Sequence, residues 1–325
     1  MNTIRNEFYR GKRVLVTGGL GFLGRHVVQA LLNSGATVRV VTHRPEKQIH
    51  LQFEVLHGDL SIIEDCRRAA DSMDYVFHLA AFGWGLGENV TRQPQLFTNN
   101  VLMNTCMLEA ANQADVERYL YTSSSSVYAG TLATLDDELP WSGDPHLSEF
   151  SLGWAKRAGE VQARIYASNG KMKIAIVRPS NPYGPGDDFH PTRAHVIPSL
   201  IIRAFEKQDP FVVWGTGRVE RSFIHASDTA RAMLLALEKH AACDPINIAS
   251  PEITTIGDIA RMILELSGHK DASLVFDASK PEGHPGKYPS VKKAKEKLGF
   301  EATIRIREGL EETISWYCST LTNAS

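Results

Sequence analysis

The sequence predicts an α/β fold: a doubly wound parallel sheet carrying a smaller mixed α/β lobe. Three observations predict it. Short β-branched runs alternate with amphipathic helical stretches through the first half of the chain. A glycine-rich turn joins the first such run to the first helix. After Arg178 the alternation breaks, and Pro179, Pro182, Gly184, Pro185, Gly186 and Pro191 crowd one stretch.

In chain order, Val14–Thr17, Thr37–Thr42, Phe53–His57, Tyr75–Leu79, Tyr119–Ser123 and Ile174–Arg178 read as buried strands. Between them, Leu23–Asn33, Ile62–Ala70, Asn99–Ala114 and Leu152–Asn169 read as helices. Strand–helix alternation means crossover connections and parallel strands, with ligands beyond the carboxyl ends of the strands. Beyond Arg178 we expect a helix over His195–Lys207, a strand over Phe211–Trp214 and a helix from Ser227. A strand over Ile246–Ala249, a helix over Ile256–Leu266 and a polar Gly/Pro loop over Lys280–Tyr288 follow. The expected division is a dinucleotide-binding domain over 1–178 and a substrate lobe made mainly of 179–325. Part of 226–250 is expected to pack back onto the sheet.

Composition bounds the function. The chain has 325 residues, 43% of them apolar and 22% charged, with a formal net charge of -2. That is the make-up of a soluble globular protein with a substantial core. Without a basic run, neither nucleic acid nor an anionic membrane is an expected partner. The start, Met1 to Arg13, is polar, and no stretch has the ~18 to 20 apolar residues of a membrane span. Cys66, Cys106, Cys243 and Cys318 are far apart and form no metal-binding pattern, so a reducing cytoplasm and no metal are expected.

Gly18, Gly21 and Gly24 lie between the first strand and the first helix, which opens at Phe22 and Leu23. Residues without side chains let backbone N–H groups approach a pyrophosphate at a helix N-terminus, so this is a Rossmann-type dinucleotide turn. At the end of the second strand the chain reads Thr42-His43-Arg44, with no acid for the ribose hydroxyls. Arg44 can pair with a 2′-phosphate, which favours NADP(H), with NAD(H) the alternative. Asp59, followed by Leu60, either accepts a hydrogen bond from adenine or serves as a turn residue. Leu79, Ala80 and Ala81 offer a flat surface to the cofactor after the fourth strand, and Asn100 and Pro179 complete the expected cofactor contacts.

The segments TGGLGFLG (17–24), GDL (58–60), HLAA (78–81), SSSSVY (123–128), Lys156 and RPSNPYGPGDD (178–188) run in one order along nearly the whole chain. In this the sequence resembles the extended short-chain dehydrogenase/reductase family of nucleotide-sugar epimerases, dehydratases and reductases. The runs 184–198 and 212–225 are most similar to those of GDP-L-fucose synthases. The resemblance implies a bound nucleotide-diphosphate sugar, GDP-linked by motif, and a homodimer built through the helices near 99–114 and 152–169.

It also implies a Ser/Thr, Tyr, Lys set for hydride chemistry. Ser124 and Lys156 match the serine and lysine, but the tyrosine position holds Leu152, which cannot carry a proton. Ser151 sits about 100° round the helix and substitutes poorly. The cysteine of the fucose-synthase epimerisation pair corresponds to Ser126, and its histidine to His195, a residue that otherwise only opens a helix. Ser125-Ser126 stands where 4,6-dehydratases carry Asp-Glu. Arg203, Arg221 and Lys287 match positions that bind the nucleotide diphosphate, and Asn181 a position near nicotinamide and sugar; Trp84, after the fourth strand, either covers the sugar or caps the core, and Val196 is expected among the substrate contacts. These residues imply a nucleotide-sugar oxidoreductase or epimerase with a non-standard acid/base set. The alternative is a nucleotide-sugar and cofactor-binding protein with little or no hydride transfer.

Overall fold

The structure, a computed structural model, describes residues 6–43, 52–83, 91–131, 134–137, 141–280, 283–284 and 286–322. Its centre is a parallel seven-stranded sheet. The strands are β1 (Arg13–Thr17), β2 (Thr37–Thr42), β3 (Glu54–His57), β4 (Tyr75–His78), β5 (Arg118–Thr122), β7 (Lys173–Pro179) and β12 (Ile246–Ile248). Their spatial order is β12-β7-β5-β4-β1-β2-β3. The chain runs outward from β1 in both directions, so the ends of β1 and β4 flank the switch point at which such sheets bind ligands.

Both faces of the sheet are covered, which is why its strands read as continuous apolar runs. Val14 and Val16 face a core built with Val27, Val28 and Leu31 of α1 (Phe22–Asn33) and Met233, Leu234 and Leu237 of α6 (Ala226–Lys239). Leu15, between them, faces the opposite core. There it meets α2 (Ile63–Ala70), α3 (Gln93–Gln113) and α4 (Phe150–Asn169) through Cys66, Met107, Ala111 and Ala163. After residue 178, therefore, α6 and β12 return to the sheet, as does α8 (Lys292–Leu298) through Ala294 and Leu298.

A second core joins α5 (Val196–Phe205), β9 (Phe211–Trp214), α7 (Ile256–Leu266) and α9 (Ile306–Thr322). Beside it, β13 (Ile253–Thr255), β10 (Glu220–Ser222), β15 (Gly286–Pro289) and β6 (Thr134–Leu135) form a four-stranded sheet. The segment expected to be a polar loop over Lys280–Tyr288 thus ends in a strand, because the parallel ladder with β10 satisfies its backbone. The helix expected from Asn99 begins earlier, at Gln93, with a proline in its first turn where no intrahelical N–H is needed.

One buried ion pair ties these parts together. Glu160 on α4 and Arg178 on β7 are both 0% exposed and meet in a two-pronged contact, Nη2 to Oε2 at 2.7 Å and Nε to Oε1 at 2.8 Å. The Ser123 hydroxyl donates to the same carboxylate at 2.6 Å. Arg178 Nη1 donates to the Tyr128 hydroxyl and to the Asp137 carbonyl. Tyr128 donates in turn to Asn247 on β12, and the Asn247 N–H donates to the Asp137 carboxylate. Burial alone presses the Arg178 pKa down, but the hydrogen bonds and charge of Glu160 outweigh it and hold the guanidinium above its ordinary value.

Removing one partner strands the other charge without water. Glu160→Gln or Arg178→Met is expected to cost ~3 to 5 kcal/mol in chemical denaturation of the free protein. The double variant is expected to lose much less than the sum of the two single losses, and strict additivity would show that the pair is not coupled.

Candidate active site

The turn after β1 has the shape its glycines demand. Gly18 has φ +67°, and a Cβ there would lie 3.0 Å from the Ala80 backbone, so only glycine allows this turn to close against Leu79 and Ala80. A Cβ on Gly24 would lie 2.0 Å from the Gly18 carbonyl oxygen, which explains the third glycine by helix–strand contact. Gly21 donates to Gly18 O at 2.9 Å and is the N-cap of α1, where no side chain caps the helix. The first N–H groups of α1, with Phe22 and Leu23 among them, are therefore left to an anion. Ala81 follows this contact on the exposed loop after β4. The cradle fits a dinucleotide pyrophosphate, and Thr122 Oγ1, buried without a hydrogen-bond partner among the described residues, lies at the same carboxyl edge of the sheet.

A hydrogen-bond chain runs from this turn to Lys156. The Ala80 N–H donates to Thr17 Oγ1 at 3.1 Å, and Thr17 Oγ1 meets His78 Nδ1 at 2.9 Å. His78 Nε2 meets Asn104 Oδ1 at 3.0 Å, and Asn104 Nδ2 donates to the Tyr121 hydroxyl at 3.1 Å. Tyr121 donates to the Lys156 carbonyl at 3.3 Å. An N–H at one end and a carbonyl at the other give the chain one direction, with the His78 proton on Nε2. Burial, then the charge of Lys156, pushes the His78 pKa down to about 3, so the ring stays neutral. The Lys156 ammonium donates to Thr122 O at 2.7 Å and lies over the Tyr121 ring at 5.5 Å. Burial lowers its pKa to about 8, against the opposing pull of Glu160.

Ser124 caps the short helical turn Ser125–Val127 by accepting the Ser126 N–H at 3.1 Å, and its hydroxyl meets that of Ser126 at 3.1 Å. One turn before Lys156 on α4 stands Leu152, partly buried. The neighbouring Ser151 is buried and its hydroxyl donates to Gln93 at 2.9 Å. This occupies the nearest hydroxyl on the helix.

The other expected residues divide by what holds them. Asp59 accepts from the Ser61 N–H at 2.8 Å and from its hydroxyl at 2.7 Å, a turn that precedes α2, and Leu60 is buried behind it. Asn100 is fully buried and bonds three ways, accepting from the Phe82 N–H and donating to Phe82 O and Leu96 O. It positions the loop after β4. Pro179 closes β7 beside Ile248 of β12. Asn181, with φ +43°, donates to Ser222 O at 3.0 Å. Arg203 is tied to the carbonyls of Ser199 and Val212, and Arg221 to those of Glu220 and His284. Lys287 is the register partner of Arg221 across β10 and β15. Arg44 and Trp84 lie outside the described residues.

His195 is the N-cap residue of α5, yet its side chain makes no capping bond. Its ring is 58% exposed, and Nδ1 lies 3.4 Å from Oδ1 of Asp187, whose side chain is only 2% exposed. Val196 follows as the exposed first residue of α5. Sequence reasoning missed Asp187, although it sits in the same glycine- and proline-rich run as His195. It also missed Thr17, His78, Asn104 and Tyr121, single polar residues that only strand order brings into line. Among the described residues, no group of three His, Cys, Asp or Glu side chains is placed to hold a metal ion.

Comparison with known proteins places this geometry. Over 95% of the chain, and 97% of the relative, the sequence is 31% identical to a dTDP-4-dehydro-6-deoxy-D-allose reductase of Streptomyces bikiniensis. The fold matches UDP-glucose 4-epimerase of Thermotoga maritima with UDP-glucose at a TM-score of 0.85 and 26% identity, covering 95% of this chain and 99% of that one. It matches a GDP-L-fucose synthetase of Naegleria fowleri bound to NADP at a TM-score of 0.80 and 25% identity, covering 96% of each chain. The model of the NAD dependent epimerase/dehydratase family matches residues 14–249, from within β1 to the residue after β12. With a match that spans the whole of the dinucleotide cradle and the Ser124–Lys156 pair, the chain belongs to the NAD dependent epimerase/dehydratase family.

Proposed function

We propose that this NAD(P)-dependent nucleotide-sugar enzyme takes a sugar that already carries a ketone at C4 and moves protons at the carbons beside it. The observation that carries the reading is the occupancy of α4. Lys156 and the Ser124/Ser126 pair are present, the position one turn before Lys156 is Leu152, and the nearest hydroxyl, Ser151, is bound to Gln93. The residues that hold a cofactor and orient a sugar oxygen remain, while the ordinary proton donor for alcohol oxidation does not. A C–H bond next to a ketone needs only a base and support for the developing enolate oxygen. His195 is the base, and the Ser124 and Ser126 hydroxyls are the donors toward that oxygen.

Gly18, Gly21 and Gly24 with the α1 N-terminus would hold a nicotinamide dinucleotide, with Lys156 on its ribose. When bound it would supply hydride chemistry, which the wild type leaves unused for want of a proton donor at Leu152. NADP(H) is the favoured form, because the end of β2 reads Thr42-His43-Arg44 with no acid, and Arg44 can pair with a 2′-phosphate. Arg203, Arg221 and Lys287 are assigned to the nucleotide diphosphate, and Trp84, Asn181 and Val196 to the sugar. The relatives named above are named for dTDP-, UDP- and GDP-sugars, so the preference for GDP rests on the runs 184–198 and 212–225. We assign 1–178 mainly to the cofactor and 179–325 mainly to the nucleotide-sugar.

We also propose a cytoplasmic homodimer. Its location rests on the scattered cysteines, and no described helix is long and apolar enough to cross a membrane. The dimer rests on a groove between α3 and α4 where Phe97, Phe150, Trp154 and Val161 are each 37% to 41% exposed. Apolar side chains gathered on one exposed face mark a candidate contact surface.

Four variants check these readings. In D₂O, GDP-4-keto-6-deoxymannose is expected to take up deuterium beside the ketone, with His195→Asn lowering the rate ~100-fold or more. Leu152→Tyr is expected to add a 340 nm signal with NADPH. Tight nucleotide-sugar binding without deuterium uptake or a 340 nm change, across GDP-, UDP- and dTDP-sugars, would favour a binding protein instead. Arg44→Glu should weaken NADPH binding ~10-fold or more while sparing NADH, and equal losses would sink the NADP(H) preference. Trp154→Glu should convert the dimer to monomer in analytical ultracentrifugation, and an unchanged sedimentation coefficient would remove this face from the interface.

A further inference from the structure

The loop over 184–195 is held by its own geometry. Gly184 and Gly186 take φ of +146° and +85°, and the Asp187 N–H donates to Gly184 O at 3.3 Å. Farther along, Phe189 stacks on Tyr317 of α9 with ring centroids 4.5 Å apart. Two adjacent carboxylates leave this loop differently. Asp188 faces solvent, where it pairs with Arg193 at 3.3 Å and accepts the His190 N–H at 2.9 Å. Asp187 turns inward, 2% exposed. Its Oδ1 accepts the Asp188 N–H at 2.7 Å and meets His195 Nδ1 at 3.4 Å, while Oδ2 is buried with no hydrogen-bond partner among the described residues.

A carboxylate taken out of water needs a positive partner or a donor at each oxygen. The cationic side chain that reaches Asp187 is His195, since Arg193 is engaged by Asp188. The imidazole makes no capping bond, and Asp187 is the partner that Nδ1 meets among the described residues. We propose that Asp187 is the positioning residue for His195: its buried carboxylate accepts a hydrogen bond from Nδ1–H and leaves Nε2 as the atom that receives and returns the substrate proton. This deepens the reading of His195 as the base and rests on it. A carboxylate behind Nδ1 selects one tautomer and stabilises the imidazolium formed when Nε2 takes a proton. In line with this, the His195 pKa is raised, first by the hydrogen bond to Asp187 and then by the charges of Asp187 and Asp188.

The sign of the pH effect follows. The free base works, so proton exchange rises with pH through the His195 pKa, and loss of Asp187 moves that limb to lower pH. The test is an NMR titration of ¹⁵N-histidine-labelled full-length protein, with His195→Asn used to assign the signal. The wild type is expected to titrate His195 above 6.5 and to carry its neutral-form proton on Nδ1. Asp187→Asn is expected to lower that pKa by about one pH unit, and Asp187→Glu to restore much of it. Deuterium exchange on the 4-keto sugar should fall ~10-fold or more in kcat in Asp187→Asn, with KM little changed. A wild-type ring protonated on Nε2 when neutral overturns the proposal even if no variant folds, and so does a titration that Asp187→Asn leaves in place. A titration that shifts as expected while His195→Asn keeps full exchange activity leaves the pair standing and removes the catalytic reading instead.

Discussion

The ion pair of Glu160 and Arg178 is the constraint on which the rest of the molecule depends. Neither charge reaches water, so each is tolerable only while the other holds its place. Their geometry therefore dictates the rotation of α4 about its own axis and the depth at which it lies on β7. Lys156 is one turn before Glu160 on that helix and inherits the same orientation. Ser123, bonded to Glu160, begins the segment that carries Ser124 and Ser126, and Tyr128, bonded to Arg178, ends it. Asp137 and Asn247 extend the cluster to the strand β12 and to the segment that follows β6. Burial pushes the Asp137 pKa up to about 6, although the Asn247 N–H and the charges of Lys293 and Arg178 draw it back. One buried network thus spans the sheet, the α4 helix and the edge of the second lobe.

A second network meets the first at α4. The chain from Ala80 through Thr17, His78, Asn104 and Tyr121 ends on the carbonyl of Lys156 itself. Its first members are the last residues of β1 and β4, which line the switch point of the sheet. The glycine turn and the lysine are consequently parts of one rigid assembly, joined by bonds that each have a single sensible direction. A charged His78 would break that direction, because a protonated Nδ1 could not accept from Thr17. The low pKa imposed on it by burial and by Lys156 keeps the network intact across the physiological range.

Much of this frame was legible in the sequence, and its gaps have physical causes. The strands of the first half stood out because burial on both faces leaves uninterrupted β-branched runs such as Val14–Thr17. The glycine turn stood out because Gly18 and Gly24 sit where any side chain would collide. The helix α8 did not. It reads Lys292-Lys-Ala-Lys-Glu-Lys-Leu298, and its apolar signal is reduced to Ala294 and Leu298, which touch the core only because α6 lies beneath them. The strand β15 was hidden for a related reason, since its pairing with β10 and β6 supplies what its glycine- and proline-rich sequence does not. Polar partnerships were the least legible of all. Asp187 lies near His195 in the chain, but nothing in the letters Asp187-Asp188 says which of the two turns inward.

The reading of Leu152 gains force from what has been kept beside it. In a dry site an ammonium group is costly, and Lys156 bears that cost with its pKa drawn down to about 8. It is partly offset by the Thr122 carbonyl and the Tyr121 ring. If the lysine had served only to acidify a tyrosine one turn away, a leucine there would leave it no task, and an uncharged side chain would pack more favourably. The second task proposed for it, donating to the ribose of a dinucleotide, depends on no tyrosine. The same logic separates the serines, since Ser124 and Ser126 stay together beside the cradle while Ser151 is drawn off to Gln93. In the proposed function, cofactor holding and oxygen orientation stay at the carboxyl edge of the sheet, and proton movement is assigned to the second lobe, where His195 opens α5 beside the buried Asp187 carboxylate.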